Sequence, residues 1–144
     1  MVHQVTDTYF VSPQITPEAM AQLAEHGFSD VICNRPDSEI GPELQHDVME
    51  QAAKAAGLAF HFHPLVHQSL LETSNSERQR DILAHAEGKV LAYCASGNRS
   101  SVVWALGQAG VLPADQIIDA AAGAGYDLSQ LRPMLGSASR LAPK

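Results

Sequence analysis

The chain has 144 residues, a formal net charge of −7, 45% hydrophobic residues and 17% charged ones, which suits one domain with a core of its own. So acidic a chain lacks the electrostatic footprint of a nucleic-acid binder, and no apolar run approaches the roughly 20 residues needed to cross a bilayer. A locally positive pocket for a small anion remains compatible with this balance.

The opening stretch MVHQVTDTYF has neither the charged n-region nor the apolar h-region of a signal peptide. The two cysteines, Cys33 and Cys94, are too few for a disulfide framework. A cytoplasmic protein with reduced thiols is expected.

A short extended piece over residues 9–11 ends at Ser12-Pro13. Thr16, Pro17 and Glu18 read as a helix N-cap, first position and acidic first turn. Ala19, Met20, Leu23 and Ala24 follow at helical spacing, and Gly27 marks the stop. Residues 30–34 (DVICN) read as a buried strand, ended by Arg35-Pro36-Asp37. After a turn-rich loop, a helix is expected over residues 43–56 and a strand over 58–63, closed by Pro64. A loop to Asn75 leads to a helix over 76–87, whose charges read as a solvated face. KVLAY (89–93) reads as a further strand. Helices are expected over about 100–110, 114–122 and 128–135, the last two separated by a turn at 123–125. The domain is expected to span residues 1–136, with a loose tail over 137–144.

Strands alternating with helices predict a single three-layer α/β domain with a mostly parallel central sheet flanked by helices. Right-handed crossovers put the strand ends on one edge. Arg35, Asp37, residues 64–66 and Cys94 should therefore face one crevice, where open α/β sheets bind ligands.

The stretch AYCASGNRSSVVWAL (92–106) carries the chemistry. Helix-start N–H groups without intrahelical partners, the helix dipole and the Arg99 guanidinium converge near Cys94 and favour a thiolate. Gly97 lets successive N–H groups turn inward as an anion nest built from Ala95, Ser96, Gly97 and Asn98. Ser100 is expected to cap the helix and hydrogen-bond the sulfur. Cys33, in an apolar strand, reads as core, as do Trp104 and Leu106. Tyr126 reads as packing that docks the last helix.

HFHPLVH gathers His61, His63 and His67, with the first two on one strand face. Neither an HExxH motif nor an Asp–His partner is evident, so no metal and no cofactor are expected. His61 is expected beneath a helix, and His63 or His67 in the pocket as acid or base. Arg35 and Asp37 are expected to pair with each other, with Asp37 as an alternative pocket acid.

The segments VICNRPDSE, AAKAAGLAFHFHPL, KVLAYCASGNRSSVVWAL and AAGAGYDLSQLRPML together resemble the bacterial DUF442, or beta-lactamase-hydrolase-like phosphatase, family. The resemblance implies a dual-specificity-phosphatase-like fold. It also implies Cys94 as nucleophile, with Arg99 and Ser100 beside it. Some members of the family are labelled phosphatases and others sulfur transferases, and some are fused to metallo-hydrolases that oxidise persulfides.

The residues then weigh sulfur against phosphorus. Four residues separate Cys94 from Arg99, whereas a protein-tyrosine-phosphatase loop has five; the shorter loop is rhodanese-like. HPLVHQSLLETSN lacks the Asp that serves related phosphatases as general acid, an aid typically worth about 10²- to 10⁴-fold. A sulfane-sulfur donor needs none, because a thiolate or sulfite leaves readily. Ala95 stands where family loops often carry Arg. The sequence reading is thus a thiolate enzyme, with sulfane-sulfur transfer through a Cys94 persulfide preferred. Phosphate-monoester hydrolysis is the alternative, and a non-catalytic anion-binding or redox-sensing module the second. Its partner would be a small anionic sulfur species or a phosphate ester. Oligomeric state is left open.

Overall fold

Two short strands, β1 (His3–Gln4) and β2 (Tyr9–Ser12), open the domain. Helix α1 (Ala19–Glu25), strand β3 (Phe28–Cys33), helix α2 (His46–Ala55), strand β4 (Ala59–Phe62), helix α3 (Thr73–His85) and strand β5 (Lys89–Tyr93) follow. Helices α4 (Asn98–Gln108), α5 (Ala114–Gly123) and α6 (Arg132–Arg140) complete it. This computed structural model describes residues 2–140. The strands form one sheet in the order β1-β2-β5-β3-β4, antiparallel only between β1 and β2. The α/β class with a mostly parallel sheet is as the sequence predicts.

Period-two alternation divides the core. Val90, Ala92 and Ile32 face one side, against Val103, Trp104, Ile117 and Leu135. Val31, Cys33, Leu91 and Tyr93 face the other, against Met20, Leu23, Met49 and Ala53. Strands buried on both faces read as continuous apolar runs, which is why DVIC and KVLAY are legible as strands. Cys33 lies in this core, 3% exposed, and Trp104 stacks on Tyr9 with centroids 6.0 Å apart.

Several boundaries differ from expectation. Helix α1 starts at Ala19 rather than after a Thr16 cap. Instead the Thr16 and Pro17 carbonyls accept the Ala19 and Met20 amides in a turn. The helix expected over 43–56 is broken at Gln45, whose backbone is extended. Its side-chain amide donates to the Asp37 and Ile40 carbonyls, and Asp37 Oδ1 accepts the His46 amide. These bonds make the helix start about one turn late, at His46. Strand β1 escaped the sequence reading because two residues carry no periodicity. The expected tail overlaps α6 as far as Arg140, and residues 141–144 lie outside the described residues. Among the described residues, no helix is long and apolar enough to cross a membrane.

Parallel pairing gathers the carboxyl ends of β2, β3, β4 and β5. The ladders continue just beyond them: Asn34 N donates to Tyr93 O at 2.8 Å, and Leu65 N to Asn34 O at 2.9 Å. Beneath this edge lies a buried network of neutral polar groups. Asn34 Nδ2 donates to Gln79 Oε1 and the His63 carbonyl, and Gln79 Nε2 donates to Asn34 Oδ1 and Tyr9 Oη. Tyr9 Oη donates to the Ser100 carbonyl, and Ser100 Oγ to Asn34 Oδ1. Removing one member strands the others without water, at about 1–3 kcal/mol per unsatisfied group. Asn34→Ala is expected to lower the unfolding free energy by about 2–4 kcal/mol, read from urea denaturation. A loss below 1 kcal/mol would show that the network does not hold the edge.

Candidate active site

Cys94 is the first residue beyond β5, and its amide reaches Ser12 O at 3.4 Å. The chain then reverses into α4 through Gly97, which has φ +95° and occupies the N-cap position. A Cβ there would also collide with the Tyr126 hydroxyl, so position 97 demands glycine twice over. The Gly97 amide donates to Cys94 Sγ at 3.1 Å, and the Asn98 amide to Ser96 Oγ at 3.2 Å. The Arg99 and Ser100 amides, in the same first turn, have no intrahelical acceptor. Ala95, Ser96 and Asn98 are exposed, whereas Cys94 is covered, with 0% of its surface exposed.

Arg99 is only 5% exposed. Its Nη1 donates to Glu39 Oε2 and to the Leu65 carbonyl, both at 2.8 Å, and its Nη2 donates to Glu39 Oε1 at 2.7 Å. A guanidinium has five N–H groups in a fixed plane. Three are used by these oxygen acceptors, and the Nε–H and one Nη2–H make up the other edge, a parallel fork of the kind that binds an oxyanion through two oxygens; the guanidinium also hydrogen-bonds the Cys94 sulfur. The hydrogen bond to Glu39 pushes the Arg99 pKa further up against the opposing effect of burial, and the nearby Cys94 sulfur adds to it. In turn the Arg99 hydrogen bond holds the Glu39 carboxyl below the usual carboxylate range. Arg35 supports Glu39 from the other side, with Nε at 3.4 Å from Oε1 and Nη2 at 3.1 Å from its carbonyl.

The structure redistributes the other predicted residues. Ser100 is fully buried, and its hydroxyl goes to Asn34 Oδ1 at 2.8 Å; the hydrogen bond to the sulfur comes from the Gly97 amide instead. Arg35 pairs with Glu39 and not with Asp37. Asp37 binds His46, 2.6 Å from Oδ2 to Nδ1, and the His46 ring stacks on Phe62 at 3.9 Å. His63 is 2% exposed, with Nδ1 2.7 Å from Gln79 Oε1 and Nε2 3.3 Å from Asn75 Oδ1. Burial pushes its pKa down against those two bonds. It belongs to the wall behind the loop. His67 is exposed in a turn of 3-10 helix, His67–Ser69. His61 does have an acidic partner, Asp30 Oδ2 at 2.7 Å, so the sequence reading of an unpaired His61 beneath a helix is corrected. Among the described residues, no three His, Cys, Asp or Glu side chains converge to hold a metal ion.

Two residues of the site carry no local signal of their role. Glu39 lies within VICNRPDSE, two residues beyond Asp37, and nothing in that turn marks it as the partner of Arg99. Tyr126 reads from the sequence as packing. Its hydroxyl instead donates to the Ser96 carbonyl at 2.8 Å, and His3 packs edge-on against its ring at 5.8 Å. Burial, and then the nearby Cys94, raise its pKa.

Residues 2–111 match the family model described as beta-lactamase hydrolase-like protein, phosphatase-like domain. A beta-lactamase hydrolase-like protein of Xylella fastidiosa is 30% identical over 128 residues, which is 88% of this chain and 30% of that protein. The chain thus spans less than a third of that relative's length. A crystal structure of a candidate phosphatase from Neisseria meningitidis is 33% identical with a TM-score of 0.81, covering 94% of this chain and 96% of that one. A candidate DUF442 phosphatase from Shewanella putrefaciens has a TM-score of 0.72 at 17% identity, covering 99% and 93%. A kinase associated phosphatase shares the fold at 16% identity and a TM-score of 0.66, covering 100% and 97%. With three quarters of its length inside the family model and a cysteine loop joining a parallel strand to a buried-arginine helix, the chain belongs to the phosphatase-like domain family of beta-lactamase hydrolase-like proteins.

Proposed function

We propose that the protein is a cysteine-dependent phosphatase acting on phosphate monoesters. The observation that carries this reading is the Arg99 guanidinium, whose Nε/Nη2 edge is left over by Glu39 and Leu65 and which hydrogen-bonds the Cys94 sulfur at the start of α4. A tetrahedral oxyanion matches that fork together with the first-turn amides. The family model is described as phosphatase-like and the similar structures named above are phosphatases or candidate phosphatases, which supports phosphoryl transfer over the sulfane-sulfur transfer preferred on loop spacing and the missing loop Asp.

In the proposed reaction the Cys94 sulfur attacks phosphorus in line. The sulfur–phosphorus bond forms as the ester P–O bond breaks, and the alkoxide or phenoxide leaves and takes up a proton. Water then attacks the phosphocysteine, releasing inorganic phosphate and restoring the sulfur. Arg99 and the loop amides stabilise charge on the equatorial oxygens in both steps. Cys94 is covered, so the proposed attack requires the loop to widen around the entering anion. Glu39 holds the guanidinium by its far edge and presents the remaining fork to that anion.

The covering of Cys94 is also the observation that favours a second reading, a non-catalytic anion-binding module. Orthovanadate binding without turnover of p-nitrophenyl phosphate would select that module over the enzyme. For the enzyme, Cys94→Ser is expected to lower turnover of this aryl ester by at least about 10³-fold, followed by phenolate release. Turnover at the wild-type rate would end the mechanism.

Glu39→Gln keeps the shape and removes the charge from a hydrogen bond of the charge-assisted class, about 1.5–3 kcal/mol. It should lower kcat/KM about tenfold. It should also change the acid limb of stability. The folded pKa of Glu39 is depressed, so its contribution is complete above the unfolded value of about 4.3 and is lost as pH falls through the lower folded value. Urea midpoints of the two proteins should therefore differ most near neutrality and converge below about pH 4. A constant offset at all pH values would exclude the ion pair as its cause.

A further inference from the structure

Two hydrogen bonds at the cysteine loop belong to one peptide unit. The Ser96 carbonyl accepts from Tyr126 Oη at 2.8 Å. The amide of that same peptide, Gly97 N–H, donates to Cys94 Sγ at 3.1 Å. A peptide plane is rigid, so its C=O and N–H point in opposite directions and turn together. Holding the carbonyl outward therefore holds the amide inward.

This peptide is poorly restrained by its own chemistry. Rotating it about its long axis changes ψ of residue 96 and φ of residue 97. Gly97 stands at φ +95°, and glycine adopts either sign of φ at little cost. The rotated state would aim the Ser96 oxygen at the anion site and withdraw the amide from the sulfur. An oxyanion would then meet a carbonyl dipole of the wrong sign.

Tyr126 is itself well placed to decide between the two states. Its amide is tied to the Ala121 carbonyl at 2.9 Å, beyond the end of α5. Helix α5 is anchored by the buried Ile117, Ile118 and Ala121. His3, on β1, packs edge-on against the phenol. The phenol fills the space where a side chain at position 97 would project. The hydroxyl thus reaches the loop from a fixed base.

We propose that Tyr126 is a positioning residue, clamping the Ser96–Gly97 peptide so that its N–H faces the Cys94 sulfur and the anion site. It acts through the loop and does not touch the reacting atoms. The functional consequence rests on the phosphatase reading, but the peptide's orientation can be read without turnover.

The test is Tyr126→Phe, which removes one surface hydroxyl and keeps the ring. One hydrogen bond of ordinary net strength corresponds to about a five- to tenfold population change. The Gly97 amide should therefore exchange with solvent about five- to tenfold faster by NMR, while β5 amides and the melting temperature stay as in the wild type. Orthovanadate, as an oxyanion probe, should bind more weakly by a similar factor. Gly97 exchange or vanadate affinity remaining within twofold of the wild type overturns the proposal, as does a wild-type chain that binds no vanadate. A wild-type chain that binds vanadate but does not hydrolyse aryl phosphate ends the phosphatase reading and leaves the clamp standing.

Discussion

A guanidinium almost wholly out of water sits at the carboxyl edge of the sheet, in the first turn of α4. Leaving such a charge without a partner costs several kcal/mol, so the fold must bring counter-groups to it. Arg99 obtains them from two loops distant in sequence. Glu39 comes from the turn after β3, and the Leu65 carbonyl from the loop after β4. Satisfying one side chain therefore fixes two loops against the start of α4. It also decides which N–H groups of Arg99 remain for a ligand. The pairing uses the end of the guanidinium and leaves its other edge toward the cysteine, so the structural ion pair and the proposed anion site would share one residue without competing for the same hydrogens.

The support behind this charge is neutral. Asn34, Gln79, Tyr9, Ser100 and His63 exchange hydrogen bonds among themselves where water does not reach. Neutral groups suit that depth, since each further buried ion would need a counter-ion of its own. Ser100 illustrates the division of labour. Its hydroxyl and carbonyl both point into the network, which locks the first turn of α4 and leaves the loop's own backbone to address the sulfur. Loop length alone therefore describes this site incompletely. Counting residues between Cys94 and Arg99 measures how many amides the loop holds. It does not measure which way they face, or how many guanidinium hydrogens the oxygen acceptors leave over.

Much of the architecture was legible from pattern. DVIC and KVLAY announce strands because both of their faces are buried. Gly27, at positive φ, follows the end of α1 where a stop was expected. The local shape around Cys94, Gly97 and Arg99 was legible as well, because chain geometry brings a strand end, a left-handed turn and a helix start together over six residues. Boundaries failed where side chains intervened, as at Gln45, whose amide caps carbonyls of the preceding loop and interrupts an otherwise helical run.

By itself, then, the sequence determined the alternation of strands and helices, the sheet edge at which the strand ends gather, and the strand–turn–helix course of the cysteine loop, since all three follow from periodicity and from neighbours in the chain. Only the tertiary structure decided the partners. Arg99 and Glu39 lie 60 residues apart, Ser100 and Asn34 lie 66 apart, and Tyr126 reaches back 30 residues to Ser96. A side chain's choice among several hydrogen-bonding groups depends on distances of a few tenths of an ångström set by packing across the sheet, and no local pattern of residue types records such distances.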